Sequence, residues 1–526
     1  MIDLNIIQKA IALTQRGQIE EAEAIYKKLI EENPNESNIL SIFGLFYVNI
    51  RNFEKASELL KRACKIKESL GTVSALGFAE FEQKHYSEAA EYLEKSLKYG
   101  ANEDIYNKLV LSLFELKHYA KAVEFADKMY ELYPDNVCAI ANKVKALTQS
   151  GKLLEAEKLC VDSLRKMPDV SSLWFYLGFL KELIYCDDLQ ARECYKAASE
   201  LGNSDADYNI AVTYQKLGEY EEAEKYYNKM LERRPNDVDT ITSLGMCYLA
   251  QKKFKEGYDL FFKRDKSALD KRTDNAWKVG DKIDDEVVIM CDQGFGDHIQ
   301  FIRYIPFVPA KTIYVATSKS LMDLFGKNYP KVHFISYDEI NPEMQSMRIT
   351  DLAYILNMDF NNIPFSEGYL KSEIADIKND KLKVGLCWEA GAAGIRTMIN
   401  RTINIKCFEP ILNLTNIQVY SFQVGDTLKG CEKYPQMINL GKDFKNFTDT
   451  AKALMAMDVL VTVDTSVAHL AGALGVKTYL LLPYAADWRW FSDTKKTLWY
   501  NSVEIFKQDD SISWENPINS IVEKLC

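Results

Sequence analysis

At 526 residues and 47% hydrophobic content, the chain is long enough for about two to four domains and apolar enough to bury large cores. Its formal net charge of -11 excludes a broadly basic surface for nucleic acid or an anionic membrane and leaves only local basic sites. Eleven cysteines without C-x-x-C pairs, with five histidines, predict neither a zinc framework nor a disulfide scaffold, so a reducing, cytoplasmic setting is expected. The start MIDLNIIQKAIALTQRGQ has no basic segment leading into an apolar run, and no later stretch approaches about eighteen apolar residues. Neither secretion nor membrane insertion is expected.

From the N-terminus, a small residue followed four positions later by an apolar or aromatic one recurs at Ala22/Tyr26, Ala56/Leu60, Ala89/Leu93, Ala122/Ala126, Ala156/Cys160, Ala191/Tyr195, Ala223/Tyr227 and Gly257/Phe261. The steps are 34, 33, 33, 34, 35, 32 and 34 residues. Gly17, Gly151 and Gly218 precede the small residue as turn formers, and Pro34, Pro134, Pro168 and Pro235 follow it where a helix should stop. A period this close to 34 resembles the tetratricopeptide repeat, an antiparallel helix pair that stacks into a superhelix. The resemblance covers roughly residues 3 to 270 and implies a platform that holds a protein or peptide along its concave face. Some protein-glycosylating members grip peptide backbone with asparagines. At the comparable inner-helix place stand Asn142 and Asn209, as candidate acceptor contacts, whereas Ile42, Ala75, Lys108, Leu177 and Ser243 hold it elsewhere, so the ladder is mostly missing.

After about residue 280, short β-rich runs alternate with helical patterns: VVIMCD, TIYVAT and VHFISY, then KLKVGLCWEAG, IQVYSFQVG, DVLVTVD and TYLLLP. The two sets predict two α/β lobes, 280–378 and 381–526, behind a repeat array at 1–270, joined by the polar stretch SEIADIKNDKL. Ligands of such sheets bind beyond the carboxyl ends of the strands, which singles out three segments. In CDQGFGDHIQFIRY, Gly294 and Gly296 permit a tight turn and a close approach to the backbone, and the Asp297 carboxylate is placed to take a proton from a hydroxyl. Asp297-x-x-Gln300 equally has the form of a capping box, which needs no chemistry. In VTVDTSVAHLAGALG, the turn Asp464-Thr465-Ser466 opens a helix whose free amides suit a pyrophosphate, or it is an ordinary cap; His469, one turn inside, fits a packed residue as well as a functional one. In WEAGAAGIRTMINRTINI, Arg396 and Arg401 follow a strand, either as phosphate forks or as solvated cations.

Taken together, GFGDHIQFIRYIP, VGLCWEAG with its arginines, YSFQVG and VTVDTSVAHLAGALGVKTYLLLPYAADWRW resemble the glycosyltransferase domain found behind tetratricopeptide repeats in many bacterial proteins. That domain is similar to glycosyltransferase family 9, the heptosyltransferases, and more distantly to family 41, the protein O-GlcNAc transferases. The match covers about 285 to 508. The resemblance implies a GT-B fold of two Rossmann-like lobes, the second binding a nucleotide sugar, and an inverting transfer that needs neither metal nor cofactor. By its motifs, Asp297 falls on the general base. Gly294, Gly296, Arg396, Arg401, Gln423, Asp464, Thr465, Ser466, His469, Pro483 and Tyr484 fall on the donor site, with Trp488 and Trp490 as its wall. AGAAGIRTMIN departs from the family's asparagine-rich phosphate loop. The implied activity is transfer of a sugar to a hydroxyl of a protein acceptor presented by the repeats. The alternatives are a lipid-linked or surface glycan as acceptor, or a scaffold that binds a nucleotide sugar without turnover.

Overall fold

The computed structural model describes residues 4–264, 272–360, 362–391, 401–425, 431–491, 495–509 and 513–526. From Leu4–Gln15 to Phe254–Phe261 its helices run in pairs, at the period read from the sequence. The reason is close packing. Ala22, Ala56, Ala89, Ala122, Ala156, Ala191 and Ala223 have no exposed surface. At the eighth place, a Cβ on Gly257 would stand 2.8 Å from the Leu249 side chain, and one on Gly44 or Gly77 would press on Leu60 or Leu93 at 2.6 or 2.7 Å. Helix pairs this close tolerate only small residues at the crossing.

The turn between paired helices needs a left-handed residue, because the next amide reaches back to close the helix end, as His118 N does to Leu113 O at 2.9 Å and Lys152 N to Leu147 O at 2.9 Å. Glycine fills it at Gly17 (φ 77), Gly151 (φ 73) and Gly218 (φ 76), but Arg51 (φ 60), Lys84 (φ 62), Lys117 (φ 59) and Lys252 (φ 63) take the same conformation in other repeats. The repeat geometry therefore overrides local preference at a cost per turn of about 1–2 kcal/mol.

The chain forms two compact units: Met1–Ile184 with Ala197–Asn203, and Tyr185–Lys196 with Ser204–Cys526. The division falls inside the repeats, so the last helix pairs belong to the unit that carries the sheets. In this unit β1 (Glu286–Met290), β2 (Thr312–Ala316), β3 (His333–Ile335) and β4 (Gln345–Arg348) form a four-stranded sheet in the order β3-β2-β1-β4. A six-stranded sheet has the order β10-β9-β8-β5-β6-β7, with β5 (Leu382–Cys387), β6 (Ile417–Ser421), β7 (Ile438–Asn439), β8 (Val459–Val463), β9 (Thr478–Leu482) and β10 (Val503–Lys507). Every named pairing in both sheets is parallel. The strand order reverses between β1 and β4 in one sheet and between β5 and β8 in the other, and such switch points open crevices at the carboxyl ends.

One buried apolar cluster runs from Leu249, Phe254 and Tyr258 of the last repeat through Val287 and Ile289 of β1 to Leu470, Leu480 and Trp490. The last repeat and both sheets thus share a core. A second cluster covers the other face of the larger sheet, closed by Ile518, Ile521 and Leu525 of the helix Glu515–Leu525. A buried ionic network adds direction. Just after the last repeat, Arg264 reaches Asp292 beyond β1 (2.8 Å) and Asp351 beyond β4 (2.6 Å), and Arg348 binds Asp351 at 2.7 Å. Removing one partner of such a set strands a buried charge at a cost of about 3–5 kcal/mol, so it fixes geometry more than it adds stability.

Replacing Lys117 by Gly should raise the unfolding free energy by about 0.5–1 kcal/mol, since the left-handed strain exceeds the entropy glycine adds to the unfolded chain. Urea unfolding of Lys117→Gly checks this, with Gly151→Lys expected to lose a comparable amount; a destabilised Lys117→Gly variant would contradict the strained-turn account.

Candidate functional site

Five charged side chains alternate in sign across the carboxyl ends of the two sheets. Asp297, beyond β1, lies with Oδ1 2.5 Å from Arg489 Nη2; Arg489 Nη1 is 2.9 Å from Asp487 Oδ1, both beyond β9. Asp487 Oδ2 meets Arg401 Nη2 at 3.1 Å, and Arg401 Nε meets Asp464 Oδ2, beyond β8, at 3.2 Å. Three of the segments singled out by sequence therefore converge on one place. The links were not foreseen: Asp487 and Arg489 sit in PYAADWRW, where the conspicuous residues are aromatic. Their position just after a strand was the signal that was available.

The opening loop differs from its sequence reading. The left-handed residue of the turn is Gln293 (φ 66), while Gly294 (φ -89, ψ 168) is extended and caps the helix Phe295–Phe301. Asp297 is the third helical residue, and its Oδ2 accepts the Gly294 amide at 3.1 Å. Only half of a capping box forms, from Asp297 back to the Gly294 amide, because Gly294 has no side chain to return a bond; Gln300 takes no part, being fully buried with neither amide atom bonded. Gly296 is required by its neighbour. A Cβ there would stand 2.7 Å from His469 Cδ2, and that ring is held by Trp490, stacked at 4.9 Å and 25°, and by the Tyr500 hydroxyl, 3.1 Å from Nδ1. His469 is thus the packed residue of the two readings, and burial pushes its pKa down to about 3.

Thr465 is the N-cap of the helix Ser466–Leu474, yet its side chain makes no capping bond and instead lies 3.3 Å from the Thr462 hydroxyl. The first amides of this helix are not taken by the cap side chain, and Asp464 lies outside the cap. Burial raises the Asp464 pKa, with Arg401 opposing. For Asp487 burial pushes the same way, but Arg489 and Arg401 outweigh it and bring the carboxyl down to about 2. In Arg401, burial is the largest effect and works against the charge, but Asp464 and Asp487 prevail and keep the guanidinium protonated.

Several candidates are engaged elsewhere. Gln423 is buried, with Oε1 accepting from the Trp388 and Glu389 amides (3.2 Å each) and Nε2 donating to Glu389 O (2.9 Å), so it shapes the turn after β5 and offers no amide to a nucleoside. Trp488 and Trp490 are core residues, and Trp488 meets Tyr258 and Phe261 edge-on; they do not wall an open donor site. Pro483 and Tyr484 are half-buried, and Tyr484 N donates to Gln508 Oε1 at 3.1 Å. Asn142 is buried and donates to Asn107 Oδ1 at 2.9 Å, so it presents no open amide to a peptide; Asn209 is half-buried on the helix Ala206–Lys216. Arg396 lies outside the described residues. Among the described residues no group of three or more His, Cys, Asp or Glu side chains is arranged to hold a metal ion. No described helix is long and apolar enough to cross a membrane.

Several buried polar atoms in these segments have no hydrogen-bond partner among the described residues: Arg489 Nε, the Trp488 ring N–H, Thr402 Oγ1 and the Gln300 amide.

Comparison with known proteins identifies the repeats. Tetratricopeptide repeat models match residues 75–137 and 208–237, and the model of anaphase-promoting complex, cyclosome, subunit 3 matches 15–96. Among solved structures the chain is similar to YrrB, a TPR protein with an unusual peptide-binding site (20% identity, 34% of this chain and 92% of that one, TM-score 0.30). It is also similar to yeast Tom70 (19%, 46% and 54%, TM-score 0.37) and to a tetratricopeptide repeat protein from Parabacteroides merdae (15%, 43% and 90%, TM-score 0.39). No curated protein matches. The N-terminal part is a tetratricopeptide repeat array, and the part that follows is α/β with parallel sheets.

His298 is buried too, and burial lowers its pKa to about 4. Both imidazoles titrate near 6.5 when unfolded, so between pH 6.5 and the folded values the unfolded chain binds more protons and stability falls as pH falls. Each histidine should contribute a slope approaching about 1.4 kcal/mol per pH unit. Urea unfolding at pH 7, 6 and 5 should show this loss, and His298→Asn should remove about one proton's share; an unchanged slope would contradict a neutral buried imidazole.

Proposed function

We propose that the α/β part is an inverting, metal-independent glycosyltransferase of GT-B type that moves a sugar from a nucleotide-sugar donor to a hydroxyl of a protein acceptor presented by the repeats. The observation that carries this reading is the charge chain from Asp297 to Asp464 across both sheets' switch points. It sets the Asp297 carboxylate, beyond β1, beside two guanidiniums and an uncapped helix start beyond the strands of the larger sheet.

The chemistry follows from charge. An acceptor hydroxyl gives its proton to Asp297 as its oxygen forms a bond to the anomeric carbon, and the bond from that carbon to the diphosphate oxygen breaks with its electron pair leaving on the diphosphate. That charge is met by Arg401, whose Nε and Nη2 are engaged with Asp464 and Asp487 and whose side chain is 31% exposed, and by the amides at Thr465 and Ser466. Asp464 and Asp487 act as positioning residues that aim Arg401. Gly294 leaves room above Asp297, since the nearest atom to a Cβ there is Asp297 Oδ2 at 3.7 Å.

One observation favours the second reading, a nucleotide-sugar-binding scaffold: Oδ1 of Asp297 already faces Arg489 and Oδ2 already accepts an amide. Kinetics separates the two. With a donor first found by thermal shift among UDP-, GDP-, ADP- and CMP-sugars, Asp297→Asn keeps the shape of the box and should lower kcat about 10²–10⁴-fold with donor affinity nearly unchanged. A wild type that binds a donor and turns nothing over, or a variant with unchanged kcat, would sink the transferase reading.

A further inference from the structure

Between the last repeats and the loop beyond β9 lies a cavity of about 230 Å³, lined by Gly218, Tyr220 and Ala250 on the repeat side and by Tyr484, Trp488 and Lys507 on the other. Asp487 of the charge chain also reaches its wall. Lys507, the last residue of β10, is half-buried, and among the described residues no carboxylate lies within ion-pair distance of its ammonium, which sits 5.5 Å from the Tyr484 ring. Burial lowers its pKa, with no carboxylate offsetting it. The other cation on the wall, Lys216, is bound to Asp188 at 2.7 Å, and Asp487 is bound by Arg489 and Arg401. A half-buried cation with no counter-ion among the described residues, in a chain of net charge -11, is a destabilising arrangement that an arriving anion would relieve.

We propose that this cavity is an acidic-residue subsite: it takes the carboxylate of an Asp or Glu side chain from a peptide lying on the last repeats, with Lys507 as the counter-ion and Tyr484 as the apolar wall. This deepens the proposed function and rests on its claim that the repeats present a protein acceptor. The repeat wall argues for a peptide over the donor, because Gly218 and Tyr220 lie within the segment that matches the tetratricopeptide model and belong to a helix turn rather than to a strand end. A charge-assisted pair of this kind is weakened by salt only moderately, since the cavity screens it from solvent.

The test is binding, which needs no turnover. Fluorescent dodecapeptide pools containing Ser or Thr, with one position scanned as Asp, Glu, Asn or Gln, are titrated by anisotropy against the full-length protein and its Lys507→Gln variant. At least one scanned position should favour the acid over its amide by about fivefold or more in the wild type, and Lys507→Gln should abolish that preference with the amide peptides unaffected. Equal binding of acid and amide pools at every position would overturn the proposal. So would a Lys507→Gln variant with weakened nucleotide diphosphate binding, which would assign the cavity to the donor, or one whose peptide discrimination is unchanged. Competition by inorganic phosphate at millimolar concentration that displaces acidic and amide peptides alike would also overturn it. Loss of transfer activity without any of these outcomes concerns the transferase reading alone.

Discussion

Arg489 is the residue on which the site depends. Its guanidinium lies between Asp297 from the smaller sheet and Asp487 from the larger, with a side chain only 12% exposed. Burial works against its charge, and the two carboxylates prevail, so that it stays protonated. Two acids near one another at strand ends would repel; the intervening cation makes their proximity favourable. The same logic repeats one step further, where Arg401 joins Asp487 to Asp464. Buried ion pairs of this kind contribute little net stability but define geometry sharply, because breaking either partner leaves a charge unmet. The packing beneath is equally specific: the helices Phe295–Phe301 and Ser466–Leu474 approach closely because Gly296 has no Cβ to meet the His469 ring.

The repeats and the sheets of the second unit are held by related devices. The shared core from Leu249 to Ile505 supplies the non-directional part, burial of apolar surface, and the Arg264–Asp292–Asp351 network supplies registration. Asp292 follows β1 by two residues and precedes Asp297 by five, so the arginine that ends the last repeat restrains the same loop that carries the proposed base.

Much of this was legible in the sequence, and the failures have identifiable causes. The 34-residue period located every repeat because the crossing alanines answer to a single steric demand. The same demand hid the turns: only three of them carry glycine, since the helix-closing bonds impose a left-handed conformation on Arg51, Lys84, Lys117 and Lys252. Strands with continuous apolar runs were visible, whereas β4 (QSMR) and β10 (VEIFK), partly polar and at sheet edges, were not. At the site, the strand-end rule found Asp297, Arg401 and Asp464. It could not reveal that Gln423 is consumed by the Trp388–Glu389 turn, that the tryptophans of WRW point into the core, or that the residues between and beside them, Arg489 and Asp487, carry the charge. Pairing across two sheets is a property of the fold and leaves no periodic trace along the chain.

The central claim is that these charges form a diphosphate site, and calorimetric titration of UDP, GDP, ADP and pyrophosphate into the full-length protein and into Arg401→Gln measures it most directly. The account predicts that at least one nucleoside diphosphate binds the wild type and that Arg401→Gln weakens it about tenfold or more, as expected for loss of a charge-assisted contact in a partly buried site. Binding that is the same in the folded variant, or a wild type that binds none of the four, would contradict it.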